Sequence, residues 1–153
     1  KPVHAHEVLA DVLDNFTLQL QDKNGKLEVK MDAGNDMIDA DEVHFPNLLN
    51  NLIDNSIKYS KENVPPVIKV CTKSDNKNLV IRLEDNGIGM NRETVKRIFE
   101  KFYRAHTGNL HNVKGFGMGL SYVKSVIEMH KGEIEVESHY GEGSTFRLKL
   151  KKL

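Results

Sequence analysis

Apolar residues recur at spacings of three and four in three long stretches of the chain, which predicts three helices. The first helix is expected over residues 4–21, the second over about 42–59 and the third over 118–130. A shorter helix is expected near 92–98, with Asn91 as its N-cap. The apolar stripes of such helices pack against a core, so these segments are expected to form one layer of the fold.

Strands are predicted where apolar residues alternate with polar ones or form short runs between turn residues. They are expected at residues 27–31, 37–40, 67–73, 78–84, 134–140 and 144–152. The third and fourth of these form one predicted hairpin, and the last two form another. Hairpins with interspersed helices predict an α+β fold with a mostly antiparallel sheet layered by helices on one face. Residues 104–117 show no periodicity and are expected to form a long loop.

Composition narrows the classes of protein that this chain can represent. The 153 residues suit a single domain spanning 1–153, with a sizeable core. Lys and Arg number 22, as do Asp and Glu, so we expect no nucleic-acid partner. No apolar run approaches eighteen residues, so no direct membrane contact is expected from this chain. The chain starts with Lys and not Met, so we expect a piece of a longer protein.

The chain contains a single cysteine, Cys71. An intrachain disulfide is therefore excluded, which suits a reducing compartment. Cys71 lies within the predicted strand 67–73, where we expect it to be a small buried residue. The sequence gives no sign of the neighbouring base and helix N-terminus that a nucleophilic thiol would need.

The second predicted helix has an unusual polar face. It contains four asparagines: Asn47, Asn50, Asn51 and Asn55. Each lowers helix propensity by up to about 0.7 kcal/mol relative to alanine. Asn51, Asn55 and Lys58 share one face because they are four and three positions apart. A polar row is often an ordinary solvated surface, but such a surface favours Glu, Lys and Gln. Asparagine amides can instead offer an oxygen to a hard cation such as Mg²⁺ and an N–H to phosphate.

The segment "EDNGIGM" (84–90) directly follows a predicted strand. Asp85 lies at the strand end, where its carboxylate could accept a hydrogen bond from an exocyclic amine. Gly87 and Gly89 would allow close approach of the backbone. Taken alone, this segment is an ordinary Asp-Asn-Gly turn.

Two further glycine-containing segments lie near the C-terminus. "KGFGMGLSYVK" (114–124) opens the last helix, and backbone N–H groups in such a turn can bind an anion. It matches neither a P-loop nor a dinucleotide-binding fingerprint. "YGEGSTF" (140–146) is, taken alone, a hairpin turn.

In this order and spacing, the four segments resemble the N, G1, G2 and G3 boxes of the ATP-binding catalytic domain of sensor histidine kinases. "IFEKFYRA" (98–105) resembles the F box of that family. The resemblance covers about residues 4–151 and extends to a wider ATPase group that includes type II topoisomerase, Hsp90 and mismatch-repair ATPases. It implies a two-layer sandwich in which three helices cover one face of a five-stranded mixed, mostly antiparallel sheet, with an ATP lid. ATP and Mg²⁺ are the implied cofactors.

The resemblance implies roles for particular residues at the phosphate end of the site. Asn51, Asn55 and Arg104 are the catalytic residues that it implies. Asn55 would ligate Mg²⁺ through its amide oxygen, Asn51 would lie near the metal and phosphates, and Arg104 would face the terminal phosphate. Lys58 and Tyr59 would contact phosphate.

The resemblance also implies an adenine pocket and a lid. Asp85 would bind the adenine amino group, Gly87 and Gly89 would let the base approach, and Thr145 would support the pocket. Phe99 and Phe102 would anchor the lid. Gly115, Gly117 and Gly119 would wrap the phosphates as the lid closes. The nucleotide-binding residues that complete the implied site are Ile88, Met90, Tyr103, Phe116, Met118 and Leu120.

The implied activity is transfer of the ATP γ-phosphoryl group to a histidine on a separate helical dimerisation domain, and from there to a response regulator. His6 and Glu7 imitate the phosphoacceptor motif, but their flanking sequence differs, and His6 lies only about 45 positions before Asn51. The acceptor histidine is therefore expected outside this chain, which should bind ATP without phosphorylating itself. The implied location is the bacterial cytoplasm, in a family whose full-length sensors are often anchored in the inner membrane.

Two alternatives to the kinase interpretation remain at this point. One is a degenerate kinase that binds nucleotide and acts as a scaffold, and the intact Asn55, Asp85 and glycines argue against it. The other is an ATP hydrolase of the wider group. Such an enzyme would need a glutamate on the asparagine helix to activate water, and Glu42 lies too far back.

Overall fold

The computed structural model describes residues 1–100 and 119–153. The strands are β1 (Pro2–His4), β2 (Lys26–Met31), β3 (Met37–Asp39), β4 (Val67–Ser74), β5 (Asn78–Asp85), β6 (Glu133–His139) and β7 (Gly143–Lys151). The helices are α1 (Ala5–Asp14), α2 (Thr17–Asp22), α3 (His44–Lys58), α4 (Arg92–Arg97) and α5 (Gly119–Met129). None of the helices in the two described ranges combines the length and apolar character that a membrane span requires.

Five of the strands form one mixed sheet in the order β2-β4-β5-β7-β6. β2 pairs with β4 in parallel, and the other three pairings are antiparallel. The predicted α+β fold with a five-stranded, mostly antiparallel sheet is confirmed. β3 does not join this sheet but pairs with β1 in a separate two-stranded antiparallel sheet.

The core lies between one face of the sheet and the helices α1, α3 and α5, with α3 in the middle. Alternate residues of each central strand point into this core, as the two-residue period of a strand requires. On β4, β5 and β7 the buried apolar residues are Ile68, Val70, Leu79, Ile81, Leu83, Phe146, Leu148 and Leu150. The predicted layer of three helices over one sheet face is therefore confirmed.

Packing explains how α3 tolerates its asparagines. Its buried apolar side chains are Phe45, Leu48, Leu49, Leu52, Ile53 and Ile57. Burial of each such side chain stabilises the fold by about 1.5–3 kcal/mol. Four asparagines cost roughly 2–3 kcal/mol of helix propensity in total. The apolar face thus outweighs the propensity loss several-fold, and the exposed side of the helix is available for other uses.

The single helix predicted over residues 4–21 is wrong, because the chain breaks into α1 and α2. At the break, the N–H groups of Asn15 and Phe16 donate to carbonyl oxygens only three residues earlier, at 3.1 Å. This tightened turn redirects the chain, so Phe16 and Leu20 are both buried against the core. The residue before α1, His4, belongs to β1 and not to the helix.

The other face of the sheet is charged. Lys69 lies 3.9 Å from both Glu28 and Glu84, which extend from the strands on either side. Arg147 on β7 pairs with Glu137 on β6 at 3.3 Å. The prediction that Cys71 is buried is wrong: it lies on this face and is only half-buried. The reason is alternation, since its neighbours Val70 and Thr72 occupy the core side.

Candidate functional site

The asparagine face of α3 turns toward the first residue of α5. Asn51 Nδ2 donates to the carbonyl oxygen of Asn47 at 2.9 Å, which directs Asn51 Oδ1 outward. A Cβ placed on Gly119 would lie 3.7 Å from that oxygen. Asn55 lies one turn further along α3, and its amide makes no hydrogen bond to residues 1–100 or 119–153. The Asn51 amide, predicted to lie near the metal and phosphates, is therefore beside the first residue of α5, and the Asn55 amide follows it one turn along the same face of α3.

Lys58 extends this polar row by almost one turn. Its ammonium pairs with Asp54 at 3.0 Å, and both side chains are more than one-third exposed. An exposed pair of this spacing stabilises a helix by only about 0.3–0.5 kcal/mol. The ammonium can therefore leave Asp54 for a phosphate group at little cost.

Asp85 is the last residue of β5, and its carboxylate is partly buried. Asp85 Oδ1 accepts hydrogen bonds from the backbone N–H groups of Gly87 at 2.9 Å and Ser144 at 3.3 Å. Burial raises the pKa of the Asp85 carboxyl above its ordinary value, and the bonds from Gly87, the Ser56 hydroxyl and Ser144 counteract the rise. Because both backbone donors use Oδ1, the carboxylate retains acceptor capacity on Oδ2.

The loop after Asp85, residues 86–90, is held on two sides. The N–H of Ile88 donates to the carbonyl oxygen of Tyr59 at the end of α3, at 2.9 Å. The N–H of Gly141, in the β6–β7 turn, donates to the Ile88 carbonyl oxygen at 2.6 Å. The loop therefore joins α3 to the hairpin and closes one end of the site.

Two glycines permit this close packing. A Cβ on Gly87 would lie 2.5 Å from the Tyr59 carbonyl oxygen, and a Cβ on Gly89 would overlap the His139 carbonyl oxygen. Gly89 also has a φ of +69°, a conformation that residues with a Cβ rarely adopt. The structure thus gives a reason for these glycines that the sequence did not: the chain's own backbone occupies the space of a side chain.

A match to one family of proteins agrees with this geometry. The model of the Histidine kinase-, DNA gyrase B-, and HSP90-like ATPase family matches residues 40–153. The chain belongs to this family. The predicted histidine kinase type of ATP-binding domain is confirmed by its relatives. Sensor protein RprX of Bacteroides fragilis is 45% identical over 150 residues, covering 98% of this chain and 29% of RprX.

A second relative and a solved structure agree with the first. Sensor histidine kinase YclK of Bacillus subtilis is 31% identical over 145 residues, covering 94% of this chain and 30% of YclK. The chain therefore spans less than a third of the length of these two relatives. The catalytic domain of histidine kinase ThkA has the same fold, with a TM-score of 0.84 at 23% identity, covering 99% of this chain and 97% of that domain.

Within this family fold, Ser144 and not Thr145 lies beside the predicted adenine-binding carboxylate. Ser144 is buried and directly opposite Asp85 in the sheet, whereas Thr145 points to the outer face, opposite Glu84. Ser56 on α3 was also missed, although its hydroxyl is one of the groups that counteract the rise in the pKa of Asp85. One signal was available for Ser56: it is a small polar residue on the apolar face of the helix.

The described residues contain only part of the predicted lid of this ATPase domain. Phe99 packs edge-on against the core residue Phe146, with ring centroids 6.5 Å apart. Leu120 is buried on α5, directly after Gly119. The predicted residues that lie outside the described ranges are Phe102, Tyr103, Arg104, Gly115, Phe116, Gly117 and Met118.

Proposed function

We propose that this domain binds Mg·ATP between α3, the 86–90 loop and the start of α5. It then donates the γ-phosphoryl group to a histidine on a separate helical dimerisation domain. The observation that carries this proposal is the pairing of a partly buried carboxylate, Asp85, with the polar row of Asn51, Asn55 and Lys58, whose Asn51 amide oxygen faces the first residue of α5. The first suits a nucleobase and the second suits phosphates.

Asp85 is proposed to recognise the adenine amino group. A buried carboxylate with a free acceptor position prefers a ligand that donates an N–H, because an unpaired buried acceptor is costly. Adenine presents such a donor on its exocyclic nitrogen, whereas a 6-oxo purine presents an acceptor at the same place. The two backbone hydrogen bonds that Asp85 accepts, from Gly87 and Ser144, fix the direction in which its carboxylate faces.

The phosphates are proposed to lie along the asparagine row. The start of α5 offers backbone N–H groups and a favourable dipole for anions, and Lys58 offers a mobile ammonium. The Asn55 amide oxygen suits Mg²⁺, which takes oxygen ligands and commonly uses one or two side chains together with phosphates and water. When bound there, Mg²⁺ would neutralise charge on the transferring phosphoryl group, and Arg104 is proposed to do the same from the lid.

The proposed partners are the helical dimerisation domain of the same kinase and a response regulator. One support is that histidine kinase ThkA has been solved in complex with response regulator TrrA, and this chain superposes on ThkA with a TM-score of 0.80 at 22% identity. The proposed location is the bacterial cytoplasm, in a family whose full-length sensors are often anchored in the inner membrane. The hydrolase alternative is disfavoured because α3, from His44 to Lys58, contains no glutamate.

Calorimetric titration of ATP into this domain, with and without Mg²⁺, tests the proposal. Asp85→Ala should weaken binding about 10- to 150-fold, the equivalent of about 1.5–3 kcal/mol for a hydrogen bond to a charged group. Asn55→Ala should abolish the effect of Mg²⁺ on affinity. Asn47→Ala is the matched control, since this asparagine lies on the same helix but is exposed and has no assigned contact to ligand.

Phosphotransfer is tested next by adding a dimerisation domain that contains an acceptor histidine, and following phosphate from labelled ATP. The domain alone should remain unlabelled. Absence of ATP binding by the folded wild-type protein would refute the proposal, and binding without transfer to any acceptor would favour the scaffold alternative.

A further inference from the structure

The hydroxyl group of Ser138 on β6 connects the 86–90 loop to the start of β7. The backbone N–H of Met90 donates to Ser138 Oγ at 2.8 Å. Ser138 Oγ also lies 2.9 Å from the carbonyl oxygen of Gly143 and 2.7 Å from the hydroxyl oxygen of Ser144. Ser138 therefore contacts both chain segments that flank Asp85 in space.

The hydrogen-bonding capacity of serine fixes the direction of these bonds. A hydroxyl group has one hydrogen and two acceptor lone pairs. Since the hydrogen of Ser138 is donated to the Gly143 carbonyl oxygen, the Met90 N–H and the Ser144 hydroxyl must both donate to Ser138 Oγ. All capacity of Ser138 is then used, and the Ser144 hydroxyl keeps only acceptor positions toward its other neighbours.

This arrangement acts on Asp85 through the backbone of Ser144. Ser144 is directly opposite Asp85 in the sheet, and its N–H is one of the donors to Asp85 Oδ1. That bond is long, at 3.3 Å, so a small shift of β7 would break it. Gly143 packs against the Asp85 carbonyl oxygen so closely that a Cβ would overlap it. The position of the carboxylate thus depends on how the β6–β7 hairpin is held.

We infer that Ser138 is a positioning residue of the nucleotide pocket, which holds the hairpin against the 86–90 loop so that Asp85 faces the 6-amino group of a purine. This inference rests on the proposed function. A purely structural hydrogen bond would also stabilise the hairpin, but its loss would weaken binding of every purine nucleotide equally. A positioning role affects only a nucleotide that carries the 6-amino group.

Titrations with ATP and with inosine triphosphate, which has a 6-oxo group, separate these roles. Ser138→Ala should weaken ATP binding about tenfold, because the Met90 and Ser144 donors lose their acceptor. Binding of inosine triphosphate should change by less than about twofold, because it lacks the contact that Asp85 makes. Ser138→Thr keeps the hydroxyl group and should restore ATP affinity to within about threefold of wild type.

Ser125→Ala is the matched control, since it removes a serine hydroxyl that bonds the Tyr122 carbonyl oxygen at 3.0 Å on the exposed side of α5. It should leave both affinities unchanged. If Ser138→Ala does not fold, as judged by circular dichroism, Ser138→Cys replaces it, because a thiol donates and accepts only weakly.

The inference would be overturned if Ser138→Ala weakened the binding of both nucleotides equally, or of neither. In that case ATP binding by the wild-type protein would still support the proposed function. Failure of the wild-type protein to bind ATP would overturn the proposed function and the inference with it.

Discussion

Three glycine-to-alanine substitutions, one between β2 and β3 and two in the segments that close the site, separate two costs that an added side chain would meet. Gly34 has open space around it and no positive φ, so alanine should fit there without strain. Gly141 also has open space, but its φ is +87°. Gly89 has a φ of +69°, and a Cβ there would also overlap the His139 carbonyl oxygen. The series therefore adds first a backbone cost and then a steric one.

The expected changes in the free energy of unfolding follow from these costs. Gly34→Ala should stabilise the protein by about 0.4–1 kcal/mol, because alanine restricts the unfolded chain. Gly141→Ala should destabilise it by about 1–2 kcal/mol, the cost of a left-handed conformation with a Cβ. Gly89→Ala adds about 1–3 kcal/mol of overpacking, giving about 2–5 kcal/mol in total.

Urea unfolding followed by circular dichroism measures all three values under the same conditions. A typical domain is stable by about 5–15 kcal/mol, so Gly89→Ala should still fold and its nucleotide affinity can be measured. That affinity should fall, because the 86–90 loop must move away from the β6–β7 turn. Gly141→Ala should lose less affinity, because no atom lies where its Cβ would be.

The reasoning would be refuted if Gly89→Ala were no less stable than Gly141→Ala. That result would mean that the loop moves away from the hairpin without cost, and that the packing of Gly89 against His139 does not hold the pocket. If Gly89→Ala lowered stability but left ATP affinity unchanged, the position of the 86–90 loop would not determine nucleotide binding.

Three further substitutions test the electrostatics and the helix ends. Asp85→Asn should lower ATP affinity without lowering stability at pH 7. The reason is that the raised pKa of Asp85 makes the charged carboxylate destabilising as pH rises above the ordinary value of 3.8, whereas asparagine stays neutral. Urea unfolding should therefore show that the advantage in stability of Asp85→Asn over wild type is lost once pH drops below 3.8. Asn91→Ala should destabilise the protein by about 1 kcal/mol in the same assay, because its side chain caps α4 by accepting from the Thr94 N–H at 2.8 Å. Asp36→Asn should lower the pKa of His4, measured by NMR titration, because the hydrogen bond that the protonated His4 ring donates to the Asp36 carboxylate raises it.

Each of these predictions has a control and a contrary outcome. Asn91→Ser keeps a capping oxygen and should retain most of the stability; equal loss with Ala would argue against the cap. The His4–Asp36 pair should contribute fully to stability between the ordinary pKa values of 3.8 and 6.5. The contribution should be lost as pH falls through the lowered pKa of Asp36 or rises through the raised pKa of His4. An unchanged His4 titration in Asp36→Asn would exclude the pair, and reduced stability of Asp85→Asn at pH 7 would show that burial is not the dominant effect.

The fold was predictable where hydrophobic periodicity reflects local structure. The strand predicted over residues 67–73 is Val67–Ser74, and the helix predicted over about 42–59 is His44–Lys58. Both elements bury long, regular apolar faces, so their pattern survives in the sequence. The asparagines of α3 were recognisable because they contradict helix propensity without any gain in packing.

The parts that the sequence did not reveal depend on distant partners. β1 is three residues long and exists because it pairs with β3, more than thirty residues later. The break after α1 depends on how Phe16 fits the core, which no local pattern encodes. The choice between Ser144 and Thr145 depends on sheet register, because a shift of one residue moves a side chain to the opposite face.

The charged outer face of the sheet also affects how two copies of this domain can meet. β2 and β6 are the edge strands, and an edge offers unpaired backbone groups to any second strand. Every other residue of β6 is acidic: Glu133, Glu135 and Glu137. If the β6 edges of two copies joined into one continuous sheet, these carboxylates would lie side by side and repel. The β6 edge is thereby protected against edge-to-edge aggregation, even where copies are held close together.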